Sequence, residues 1–86
     1  MKESIIQKKC IKYFEDKGWF VIKLIQCNKN GMPDLMILKN NKCVFIECKA
    51  ENGKLSELQK YRHEQLRKQN FEIYTIYSID EFTKIC

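Results

Sequence analysis

The chain reads as an α/β protein, a small mixed sheet flanked by helices in the order αβββαβ and closed by a short last helix. Three observations carry that expectation. Leu35-Met36-Ile37-Leu38 and Val44-Phe45-Ile46 are apolar at consecutive positions, as strands buried on both faces are. Segments 2–17 and 54–69 repeat apolar residues at helical spacing and can cover those faces. The succession of strand, helix and strand from residue 43 onward calls for a crossover that lays the last strand parallel to its partner.

In chain order, the first helix is expected over 2–17, with Ile6, Cys10, Tyr13 and Phe14 on one stripe and Gly18 as its stop. Glu3 and Gln7 extend that stripe upstream, which would turn polar groups toward the sheet. A β-rich run follows from Trp19 to Ile25, then a loop, Cys27-Asn28-Lys29-Asn30-Gly31, with turn chemistry. Two hairpin strands, about 34–39 and 43–49, are joined through Asn40-Asn41. The second helix is expected over 54–69: Ser56 and Gln59 match a capping box, Leu55, Leu58 and Leu66 form a thin apolar stripe that includes Gln59 and Arg62, and Asn70 can end it in the left-handed conformation. A final strand over 71–77 leads to a second capping box, Ser78 with Glu81, which opens the last helix.

A chain of 86 residues makes one domain, 1–86, and buries only about 60–65% of its unfolded surface, so a partner subunit would help and a homodimer is expected. The net charge of +5 fits a polyanionic partner, nucleic acid first among them. Five cysteines include no C-x-x-C pair and are accompanied by one histidine, which excludes zinc-finger spacing and points to a reduced, cytoplasmic protein. No signal peptide is expected, and no apolar run reaches the ~18 residues of a membrane span.

The informative chemistry lies at Pro33-Asp34 and Glu47-Cys48-Lys49. If Asn40-Asn41 is the hairpin tip, Lys39 faces Lys42, and counting back along both strands sets Asp34 opposite Glu47. Directly opposed Cβ atoms lie about 4.5–5.5 Å apart, so two carboxylates would meet on one face. Next to a buried core they need a partner or a metal. Lys49, two residues beyond Glu47, shares that face and adds an ammonium. The alternative is a structural ion pair on a solvated face.

Gly31-Met32-Pro33-Asp34, then Glu47-Cys48-Lys49, in the order αβββαβ and with Gln59 on the following helix, resemble the PD-(D/E)XK nuclease superfamily and, within it, the stand-alone VRR-NUC domains of phages and bacteria. The resemblance runs nearly end to end and implies a restriction-endonuclease-like core. It further implies that Asp34, Glu47 and the main-chain oxygen of Cys48 bind Mg²⁺ or Mn²⁺, and that Lys49 positions or activates the attacking water. Two carboxylates plus water also suit magnesium on general grounds. By the same resemblance Gln59 stands near the metal and helps hold the lysine or the water, while a glutamate of the first helix joins the site. Glu3 is the carboxylate available there, with Gln7 one turn away as the other position; Ser4 and Gln7 also spell a capping box that would leave Glu3 outside the helix.

The function so implied is a metal-dependent DNA endonuclease leaving 5′-phosphate ends, with a homodimer acting on branched DNA such as Holliday junctions. Lys29, Asn30, Lys60, Tyr61 and Arg62, with Asn28, are candidate contacts to the DNA backbone. Ranked second is a nuclease-fold DNA-binding module with weakened catalysis, Gln7 being the sign of decay. A small interaction protein, soluble through its basic surface, ranks third. His63 falls off the apolar stripe and is expected to be exposed, and Trp19 is expected in the core.

Overall fold

The computed structural model describes residues 2–85. Helix α1 (Glu3–Asp16) leads into strand β1 (Phe20–Lys23); β2 (Leu35–Lys39) and β3 (Lys42–Cys48) form the hairpin; α2 (Glu57–Lys68) crosses to β4 (Glu72–Ile76); and a 3₁₀ helix, η1 (Ile79–Lys84), follows. The sheet order is β1-β2-β3-β4, antiparallel at the first two pairings and parallel at the third. This is the mixed α/β architecture the sequence predicts.

Asn40 and Asn41 both adopt positive φ, 49° and 67°, as a two-residue type I′ turn requires, and asparagine tolerates that region better than other side-chain-bearing residues. The turn sets the register. Lys39 pairs with Lys42, Leu38 with Cys43, Ile37 with Val44, Met36 with Phe45 and Leu35 with Ile46. The next pair in that series is Asp34 with Glu47.

Alternation then divides the sheet. Leu35, Ile37, Val44, Ile46 and Cys48 join Ile6, Cys10 and Phe14 of α1 and Phe82 of η1 in the main core. The other surface carries Phe45, Glu47 and Ile73, all buried. Tying α1 to the hairpin, the Lys39 ammonium donates to the Lys17 carbonyl at 2.7 Å, at the C-terminal end of the helix where a cation is favoured. Trp19 is in the core, as expected.

Four expectations need correction. Helix α1 is capped by Lys2 with no side-chain bond, so Ser4 and Gln7 form no capping box and Glu3 lies inside the first turn. Helix α2 starts at Glu57, not Lys54, because Ser56 and Gln59 complete the predicted box there: the Gln59 N–H donates to Ser56 Oγ and the Ser56 N–H to Gln59 Oε1. The last helix is 3₁₀. Its Glu81 carboxylate accepts the Tyr77 N–H at 3.0 Å, one residue upstream of the position a capping box would use. Finally, His63 is buried, 1% exposed, and is the buried residue of α2, whereas Leu58 is 41% exposed.

The loop before β2 is fastened to α2 twice. Arg62 Nε donates to the Asn30 carbonyl at 2.7 Å. Gly31, at φ +82°, lies so close to the helix that a Cβ there would sit 2.7 Å from Leu58 Cγ and 3.2 Å from the Leu58 carbonyl carbon. Gly31→Ala therefore combines a strained backbone with a steric overlap, and urea unfolding should show a loss of about 2–3 kcal/mol.

Candidate active site

The end of the hairpin, the first turn of α1 and one face of α2 converge on three carboxylates. Oxygen atoms of Glu3, Asp34 and Glu47 all lie within 4.8 Å of one another. Each arrives by a different route. The register of β2 and β3 brings Asp34 and Glu47 together on the α2 side of the sheet. Glu3 belongs to the helix packed on the opposite side, and its place in the first turn lets its side chain come round the end of the sheet.

Asp34 also shapes the strand end, since its Oδ2 accepts the Cys48 N–H at 2.9 Å and so holds the backbone immediately after Glu47. Cys48 itself points into the core, fully buried. A hydrogen bond with Cys10 and burial drive its thiol far up from the ordinary range, and with the side chain in the core it is the main chain of Cys48 that lies toward the carboxylates. Among the described residues Cys10, Cys27, Cys43 and Cys48 are free thiols.

Glu47 is the electrostatic centre. Burial first, then the charge of Asp34 and a hydrogen bond with it, push the Glu47 carboxyl up to about 8; Glu3 adds to the rise and Lys49 opposes it. The lysine therefore does not neutralise the pair. The cluster carries negative charge that a divalent cation would compensate. Three carboxylates with no thiolate are hard oxygen donors of the kind magnesium and manganese take.

Behind Glu47 stands His63, with Nε2 3.2 Å from Glu47 Oε1 and both side chains 1% exposed. Burial, aided by Arg67 and Lys49, lowers the His63 pKa, so the contact is a hydrogen bond of a neutral imidazole. Its Nδ1 is buried with no partner. The sequence did carry a signal for this residue: His63 comes four positions after Gln59 and three before Leu66, on the inward side of the helix.

Of the other predicted residues, Gln59 is half-buried, one turn from His63, with its oxygen engaged in the cap. Arg62 is committed to Asn30 and Gln65. Lys29 and Asn30 are exposed; Lys60 reaches Glu57 at 3.4 Å, and Tyr61, 57% exposed, lies beneath the Arg62 guanidinium.

Against this geometry, a model of the VRR-NUC domain matches residues 3–80. The chain belongs to the VRR-NUC family. It is therefore a nuclease domain of the PD-(D/E)XK superfamily. A solved structure described as a VRR_NUC domain shares 32% identity with it at a TM-score of 0.87, covering 99% of this chain and 94% of that one. A protein of Acyrthosiphon pisum secondary endosymbiont phage 1, named "Putative nuclease p44", is 31% identical over 67 residues, 77% of this chain and 72% of its own length. Among the described residues no helix is long and apolar enough to cross a membrane.

The raised Glu47 pKa has a measurable consequence in EDTA. Between about 4.5 and 8 the unfolded chain releases the Glu47 proton while the native one keeps it, so stability falls as pH rises. His63 works the other way, because its native pKa is depressed: stability drops as pH falls below 6.5. The two slopes oppose each other below pH 6.5 and leave a net decline above it. Urea unfolding in EDTA should show stability about 1–2 kcal/mol lower at pH 8 than at pH 6.5, at ~1.4 kcal/mol per unit.

Proposed function

We propose that this domain is a Mg²⁺- or Mn²⁺-dependent deoxyribonuclease that hydrolyses phosphodiester bonds internally, and that a homodimer directs it to branched DNA, including four-way junctions. The observation that carries the metal requirement is the Glu3, Asp34 and Glu47 cluster, with Glu47 held protonated up to about pH 8 until a cation shares its charge.

In this reading Asp34, Glu47 and the Cys48 carbonyl would hold the ion, with Glu3 beside them. A divalent cation there would lower the pKa of a bound water and offset charge on the phosphate. Asp34 keeps the strand end rigid through the Cys48 N–H, so the ligands enter the reaction already placed. Lys49, on the same strand face as Glu47, presents its ammonium to the attacking water and to the charge growing on the phosphoryl oxygens. Gln59, one helical turn from His63, steadies that lysine or water. Lys29, Asn30, Lys60, Tyr61 and Arg62 are the candidate contacts to the DNA backbone, with Arg62 acting through the loop it fastens.

Glu3 in the cluster supports catalysis over a binding module with weakened catalysis, a reading that leaned on Gln7. The branched substrate rests on the family resemblance, with which the symmetry of a dimer is compatible. One cluster cuts one strand, and a two-fold dimer sets two clusters against opposed strands. Labelled duplex, single-strand, flap and four-way DNAs, incubated with Mg²⁺, Mn²⁺ or EDTA, test the activity, and sedimentation tests the dimer. Cleavage in EDTA would refute the metal role. Equal rates on duplex and junction, or a monomer on the junction, would refute the branched-DNA reading.

A further inference from the structure

The geometry assigns to His63 a role as the positioning residue of the Glu47 carboxylate, an inference that rests on the metal-site reading above. A glutamate beside two other carboxylates tends to rotate away from them. Its Oε1 is instead held by His63 Nε2 at 3.2 Å, and that bond fixes the plane in which its remaining lone pairs meet Asp34 and Glu3.

The tautomer follows from the partners. With a cation in the site Glu47 is ionised and can only accept, so Nε2 then carries the hydrogen and Nδ1 is left with its lone pair. That lone pair is buried without a partner, which a side chain selected for packing alone would not present; leucine would fill the space without that orphaned atom. What leucine lacks is the donor. Helix α2 delivers it because the loop before β2 is tied to the helix by Arg62 and Asn30, so the histidine and the strand end carrying Asp34 move as one body. Partners that orient metal-binding side chains typically change metal affinity by about 10–100-fold when removed.

The test is Mn²⁺ binding to the full chain, followed by the loss of the free-ion paramagnetic resonance signal, for wild type and for His63→Gln, His63→Asn and His63→Leu. Gln places an amide N–H near the level of Nε2, whereas Asn places it nearer that of Nδ1. His63→Gln should bind within about threefold of wild type, and His63→Asn and His63→Leu about tenfold or more weakly. If the leucine variant fails to fold, the contrast between Gln and Asn decides. Wild-type affinity in His63→Asn or His63→Leu, or equal weakness in all three variants, overturns the role. Asp34→Asn separates the two levels of the argument. Binding that Asp34→Asn abolishes but every His63 variant retains removes only the histidine, while a wild type that does not bind Mn²⁺ removes the metal site and the histidine's role with it.

Discussion

Asp34→Asn should lower single-turnover DNA cleavage by on the order of 10³-fold while making the metal-free protein more stable. The two effects have one cause. Asparagine keeps an oxygen to accept the Cys48 N–H, so the end of β3 holds its place. It removes the negative charge, however, and with it two of the causes that raise the Glu47 carboxyl, the repulsion and the shared hydrogen bond. Burial, the largest cause, remains, so the Glu47 pKa falls only part of the way toward its ordinary value. Over that part the native state no longer holds a proton the unfolded chain has lost, and stability at pH 8 in EDTA should rise by about 1 kcal/mol. A site assembled to hold a cation stores repulsion when the cation is absent. Urea unfolding in EDTA and cleavage in Mg²⁺ measure the two sides. A variant that loses activity and stability together would show Asp34 to be a structural residue.

The acidic pair was legible in the sequence because its placement follows from a two-residue asparagine turn that fixes the register; strands apolar at consecutive positions would not by themselves resist a slip. Such a slip would carry Glu47 to the α1 face and Cys48 to the site. The position of Glu3 was less accessible. Whether Glu3 or Gln7 reaches the strand end depends on where α1 begins, and Ser4 with Gln7 imitates a helix start that the chain, capped at Lys2, does not use. His63 was hidden for a different reason. A stripe drawn from leucines predicts packing, but the side of α2 facing the sheet meets Glu47, so its buried position is polar, and Leu58 is left half-exposed against Gly31. Local pattern foretells which groups a strand sets together; it does not foretell that a helix face will be selected to serve a carboxylate across the layer.

Lys49→Ala should reduce the rate of bond cleavage by about 10²–10³-fold and leave Mn²⁺ affinity within about threefold of wild type. The fold should tolerate the change, because the Lys49 N–H is fixed to the Ile76 carbonyl at 2.9 Å and the backbone there does not depend on the side chain. Metal affinity holds because removal of the ammonium has two opposed consequences. It relieves repulsion of the incoming cation, and it raises the Glu47 carboxyl further, which strengthens the proton as a competitor for the same oxygens. The rate has no such compensation: the charge that grows on the phosphoryl oxygens loses its second cation. Lys49→Arg restores the charge but spreads it over a planar fork in place of a compact ammonium, so it should recover part of the rate and not all. Single-turnover cleavage over a range of Mn²⁺ concentrations separates affinity from chemistry. A rate lost in proportion to metal affinity, and regained in full at saturating Mn²⁺, would show that Lys49 tunes the carboxylates and takes no part in the transition state.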